Sequence, residues 1–198
     1  LQPGNLVAVA WRGRLPEHLG AFEIELLRAH AAGLIDDADR LAALSSAAAL
    51  VALALPEREP HGDVYRDFGR LIAALDSTGW AVDYVAWECA LLAALGFGLD
   101  LKTCAATGVN DDLAYVSPRS GQAVSGEAGA PYRERLLPLP GFLHGATARP
   151  EPQDVINGLR LAGFFLEQRV FAPHQHKLPA ARGRYVDALT RVFAIPGA

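Results

Sequence analysis

Between Trp80 and Leu95 the usual alternation of apolar and polar positions is missing, and Asp83 and Glu88 are the only charged residues in the run. A helix without a polar half lies inside its domain, so this pattern predicts a central helix, with Trp80, Tyr84 and Trp87 in the core. Gly96 and Gly98 follow the last leucine, where a residue without a Cβ closes a helical turn. Upstream, Leu6–Trp11 and Ala21–Leu26 alternate with period two and are joined by a loop containing Pro16 and Gly20, which predicts an antiparallel pair of strands. Two strands alone do not make a stable sheet in water, so the pair needs a packing partner or further strands. Asp36 and Asp37 precede a stripe of Leu41, Leu44, Ala48, Val51 and Leu55 at helical spacing, with acidic residues where a helix start favours them. After Pro56 and Pro60, Val64, Phe68, Leu71, Ile72 and Leu75 form a second stripe that ends at Ser77-Thr78-Gly79. Three successive helices with short connectors predict an antiparallel bundle around residues 80–95.

Beyond residue 104 the pattern becomes that of a small knuckle. Tyr115-Val116-Ser117, a Pro118-Arg119-Ser120-Gly121 turn and Gln122–Ser125 predict a β-hairpin. Pro131, Pro138 and Pro140 then allow at most a short helix, around Tyr132–Leu137. From Asp154 to Phe171 a helix is predicted with Val155, Leu159, Ala162, Leu166 and Val170 on one face and Arg160, Phe164 and Phe171 on the other. Pro179 opens a last helix whose inner side carries Tyr185, Leu189, Val192 and Phe193 and whose outer side carries Arg182, Arg184 and Arg191.

Composition narrows the function classes. The chain has 198 residues, 51% hydrophobic and 20% charged, enough for one sizeable core, and its apolar runs, such as Ala47–Leu55, are too short to cross a bilayer. No secretory leader is apparent in the sequence. Its two cysteines give no disulfide framework, as expected of a protein from a reducing cytoplasm. The net charge of −4 is unevenly spread: residues 1–118 hold 8 Lys/Arg and 16 Asp/Glu, whereas residues 119–198 hold 10 and 6. A basic C-terminal part can present a phosphate-binding face on an acidic chain; ordinary solvated charge gives the same tally.

Most catalytic chemistry has no support. There is no G-x-x-x-x-G-K-[ST] loop, and Gly96-Phe97-Gly98 follows a helix instead of opening one, which argues against nucleotide hydrolysis. Cys89 has no neighbouring base in its helix and reads as a small core residue. His174-Gln175-His176 lacks any acidic or cysteine ligand nearby and reads as a solvated loop. No constellation supports a hydrolase, and no cofactor is expected.

Cys104, Thr107, Ser125 and Ala128 occupy the spacing of a C-x2-C…C-x2-C zinc ribbon, with 17 residues between the pairs, yet one cysteine cannot hold zinc tetrahedrally. The knuckle is therefore expected to fold without metal. The ordered run WECALLAALGFGLDLKTCAATG…DDLAYVSPRSGQAVSGEAGAPY resembles the C-terminal part of RecO, the bacterial recombination mediator family, in its variant that lacks the zinc cysteines. LQPGNLVAVAWRGRLPEHL resembles the last strands of that family's N-terminal OB-fold, so the resemblance covers nearly the whole chain. It implies a mainly α protein: residues 1–32 as the end of an OB-fold, and residues 33–198 as a helical domain with a metal-free knuckle at 104–128.

The resemblance also implies a function. RecO-type proteins bind single- and double-stranded DNA, anneal complementary strands, act with RecR and help RecA displace the single-strand DNA-binding protein in recombinational repair. A non-enzymatic, nucleoid-associated DNA-binding protein is the expectation, and a helical protein-interaction module without DNA affinity is the alternative. Arg119, Arg133, Arg135, Arg182 and Arg184 are the expected phosphate contacts, with Arg12 and Arg14 adding a lesser contribution from the hairpin; guanidinium groups suit phosphate geometry. Arg160, Phe164 and Phe171 are the expected pocket for the acidic tail of the single-strand DNA-binding protein, since a tail ending in an apolar ring and a carboxylate requires a hydrophobic pocket rimmed by a cation.

Overall fold

The computed structural model describes residues 2–13, 20–146 and 149–193. It starts with a hairpin in which β1 (Leu6–Arg12) runs antiparallel to β2 (Ala21–Arg28), with Val9 opposite Ile24 and Trp11 opposite Phe22. The period-two pattern forms the expected pair, but neither face is covered. Val9, Trp11, Phe22, Ile24, Leu26 and Leu27 are all exposed. Its base is tied to the rest of the chain: Asn5 Oδ1 accepts a hydrogen bond from the Ala31 amide at 3.1 Å, and Gly4, at φ 84°, sits against Leu44.

Helix α1 (Ala38–Ala54) is capped by Asp37, whose side chain accepts from the Asp39 and Arg40 amides. Its buried face is Ala43, Leu44, Ser46, Ala47 and Leu50, one position round from the stripe that the leucines suggest. In an alanine-rich helix the large side chains do not alone define the inner face, because alanines permit the closest approach of a neighbouring helix. That neighbour is α6 (Ala180–Phe193), from the far end of the sequence. Helix α2 (Gly62–Ala74) buries Val64 and Leu71 as its stripe predicts.

Helix α3 (Trp80–Ala94) packs between α2 and α5 (Pro152–Phe165) and buries Tyr84, Val85, Trp87, Glu88, Leu91 and Leu92. It is central but not enclosed: Ala86, Ala93 and Ala94 face solvent beside Asp83. Its end is closed by Gly96 at φ 85°, with the Gly96 amide donating to Ala93 O and the Phe97 amide to Leu92 O, a paired arrangement that only a left-handed residue permits.

The knuckle is a three-stranded antiparallel sheet ordered β4-β3-β5, from β3 (Leu113–Val116), β4 (Ala123–Ser125) and β5 (Leu137–Pro138). The turn expected at Pro118–Gly121 is present, with the Gly121 amide donating to Ser117 O. The short helix after it begins earlier than proline spacing suggests, as α4 (Gly126–Gly129) and a 3-10 segment (Ala130–Arg135). The third strand is unforeseen, because a two-residue edge strand containing a proline leaves no periodic signal.

Helix α5 (Pro152–Phe165) starts with a reciprocal cap between Glu151 and Asp154 and continues as a π-turn over Leu166–Phe171. In that turn the Ala172 amide reaches back to Glu167 O, a five-residue span. Val155, Leu159, Ala162, Leu166 and Val170 are all buried, as the predicted stripe requires.

Candidate nucleic-acid interface

In the knuckle, the chain brings Cys104 against Ser125 across 21 residues. The Cys104 Sγ accepts from the Ser125 amide at 3.2 Å, and its thiol lies 3.5 Å from Ser125 Oγ. Both residues are buried. Burial alone raises the Cys104 thiol, but hydrogen bonds from Ser125, Thr107 and the Ala106 amide outweigh it and bring the pKa down to about 6. A folded-state pKa below the unfolded one stabilises the fold at alkaline pH, and that contribution fades as pH falls through about 6. The stability gap between the wild type and Cys104→Ala is therefore expected to narrow from pH 9 to pH 6 and to level off below, in urea melts followed by circular dichroism; a pH-independent gap contradicts the thiolate.

Four arginines of the acidic part are neutralised locally: Arg12 by Glu23 at 2.8 Å, Arg40 by Asp37 at 2.9 Å, Arg70 by Asp67 at 2.8 Å, and Arg66 by Asp63. Arg28 and Arg58, in the same part, are exposed with no carboxylate of a described residue within salt-bridge distance. Arg119, Arg133, Arg135, Arg160 and Arg184 are exposed, and no carboxylate of a described residue lies within salt-bridge distance of any of them. Arg12 is thus partly spent on its own hairpin, and Arg14 lies outside the described residues.

Arg182 does not belong with the surface set. It is 6% exposed, and its Nε and a terminal nitrogen grip Glu88 at 2.7 and 2.8 Å while the same terminal nitrogen donates to Leu159 O at 2.7 Å. Two positions apart on a helix, Arg182 and Arg184 face opposite sides, and Arg182 shares the inner face with Tyr185 and Leu189. Burial alone would lower its pKa, and the Glu88 charge and hydrogen bonds more than offset this and hold it above its ordinary value. Gly163 is the residue that makes room, since a Cβ there would come within 2.6 Å of the guanidinium. Around the pair, the Tyr84 and Tyr185 rings lie 4.5 Å apart, and Tyr84 OH shares a 2.6 Å hydrogen bond with Ser46.

The expected tail pocket is not a single open face. Arg160 is exposed and Phe164, one turn on, is half-buried, but Phe171 is 1% exposed. The π-turn adds a residue to the last turn and swings Phe171 inward. It lines a cavity of about 400 Å³ with Leu53, Leu55, Leu95, Phe97 and His176, which neither Arg160 nor Phe164 reaches.

Cys89 is largely covered, and burial followed by the neighbouring Glu88 charge pushes its thiol up to about 12, the opposite of an activated nucleophile. His174 and His176 are exposed, and no cluster of three potential metal ligands occurs among the described residues. Of the two carboxylates in α3, Asp83 is exposed and Glu88 is buried. A carboxylate on the inner face of an apolar helix requires a buried cation, and only the fold identifies Arg182 as its partner.

Residues 35–178 match the family model described as recombination protein O C terminal. The chain is 54% identical over 198 residues to the DNA repair protein RecO of Rhodospirillum rubrum, covering 96% of this chain and 79% of that protein. It is 53% identical to RecO of Rhodospirillum centenum, over all of this chain and 79% of the relative, and 47% identical to RecO of Mesorhizobium japonicum, over 98% and 77%.

Proposed function

Because this chain belongs to the RecO family of DNA repair proteins, we propose that it is a non-enzymatic mediator that binds single- and double-stranded DNA, anneals complementary strands and acts with RecR to load RecA. The observation that carries this reading is the set of exposed arginines with no carboxylate partner among the described residues, Arg119, Arg133, Arg135 and Arg184, on an otherwise acidic protein. Guanidinium groups free of internal pairing exchange their counterions for phosphates, giving affinity without base readout, which is what annealing any pair of strands demands. The hairpin β1–β2, with one apolar face of Val7, Val9, Trp11, Phe22, Ile24 and Leu26, we read as the closing strands of an OB-fold. The knuckle we read as a zinc ribbon that keeps its shape through the Cys104–Ser125 contact in place of metal. Among partners, the acidic tail of the single-strand DNA-binding protein fits best at Arg160 and Phe164, where an exposed cation stands one turn from an aromatic ring.

An annealing assay with two complementary oligonucleotides tests the reading: the protein accelerates pairing at low salt and loses the effect as salt rises. The uncovered apolar hairpin favours the second reading, a protein-interaction module, and a protein that leaves the annealing rate unchanged at low salt supports it.

A further inference from the structure

Arg169 lies at the junction between α5 and the knuckle, and its surroundings are unlike those of the other arginines. Its guanidinium carbon stands 4.6 Å from the centre of the Phe165 ring, four residues back and at the threshold of the π-turn. One terminal nitrogen donates to Arg119 O at 3.4 Å, across 50 residues. Gly121, at φ 75°, lies directly beneath it: a Cβ there would stand 3.1 Å from both terminal nitrogens and 3.1 Å from Leu99. The Pro118–Gly121 turn is thus held between its own Ser117–Gly121 hydrogen bond and a half-buried guanidinium that has no carboxylate of a described residue within salt-bridge distance.

A cation placed this way holds the turn by shape. Its face is fixed by the Phe165 ring and its edge by a backbone carbonyl, so it constrains the residue whose carbonyl it binds, which is Arg119. A guanidinium does both at once through its flat, many-donor form; a lysine ammonium, a compact point charge, cannot lie flat on the ring while its edge meets the carbonyl. The side chain of Arg119 stays exposed, with no carboxylate of a described residue within salt-bridge distance, while its backbone is pinned. Pinning reduces the ordering cost when a flexible arginine meets a phosphate.

We propose that Arg169 is a positioning residue for nucleic-acid binding: by clasping the knuckle turn onto α5 it fixes Arg119 as a phosphate contact. This rests on the DNA-binding reading above and adds to it a residue that acts through another. It also gives the π-turn a role, since the turn begins at the ring on which Arg169 lies.

The experiment uses the full chain and two perturbations that keep its charge. Arg169→Lys removes the stacking and the fork, and Gly121→Ala introduces a Cβ under the guanidinium at a left-handed position. Single-stranded DNA affinity is read by fluorescence anisotropy at fixed low salt, with folding checked by circular dichroism. Each variant is expected to weaken binding about as much as Arg119→Ala, by about tenfold, and to lower the salt slope by about one unit. Combining either with Arg119→Ala is expected to add little, whereas combining it with Arg184→Ala is additive. Trypsin cleavage after Arg119, followed by mass spectrometry, is expected to be faster in both variants. Additive loss with Arg119→Ala, or wild-type affinity in folded Arg169→Lys, overturns the positioning role. A wild type that does not bind DNA at all overturns the DNA reading and the positioning role with it; the trypsin rates then decide alone whether the clasp exists, unchanged cleavage showing that it does not.

Discussion

Replacing Arg182 by alanine is expected to cost about 3–5 kcal/mol of unfolding free energy, because it leaves the Glu88 carboxylate in the core without its cation. Glu88 is fully buried and Arg182 is its only ion-pair partner among the described residues. The loss is a large fraction of the roughly 5–15 kcal/mol that holds a typical domain together. The pair joins α3 to α6, and through Leu159 O to α5, so its removal loosens three helices at once. Replacing both partners by methionine is expected to recover most of the loss, since two apolar side chains leave no stranded charge, although Leu159 O then gives up one donor. Urea denaturation followed by circular dichroism measures both variants. A single variant within about 1 kcal/mol of the wild type shows that water, not Arg182, solvates Glu88.

Reversing the charge of Arg119, Arg133, Arg135 and Arg184 together is expected to lower single-stranded DNA affinity at least a hundredfold, with no dependence on base sequence. The size follows from counterion release: four phosphate contacts on a single strand give a log–log salt slope of about −2.8, and reversal replaces each attraction by a repulsion. All four residues are exposed and none has a described carboxylate within salt-bridge distance, so the changes leave internal pairing intact and the melting temperature is expected to move little. Unaltered affinity in the folded four-site variant places the DNA contacts elsewhere. Arg182 is excluded from the set because its reversal would unfold the protein and imitate a binding defect.

The elements were largely legible in the sequence, and their assembly much less so. Strong local signals gave the α3 boundaries, the knuckle hairpin and the opening of α6: glycine after a leucine run, a proline turn between β-formers, proline before a helix. What escaped depends on contacts between distant residues. The pairing of α1 with α6 links the two ends of the helical domain, and alanines mark its interface too weakly for a stripe of leucines to reveal. The π-turn inserts one residue into a regular period and so reverses the orientation of Phe171 while leaving Val170 buried. Arg182 and Arg184 have the same charge two positions apart on one helix, and which of them faces inward is decided by Glu88, 94 residues away. For the same reason the role of Arg169 was invisible: its partners, Phe165 apart, lie some 50 residues back in the knuckle turn.

The central claim is that this chain binds DNA through phosphates, and the most direct measurement is the salt dependence of its affinity for a fluorescent single-stranded oligonucleotide. The account predicts a linear fall of log affinity with log salt, losing roughly fiftyfold between about 50 and 200 mM, and equal values for two oligonucleotides of unrelated sequence. An affinity that stays constant across that range, or no binding at its low end, contradicts it.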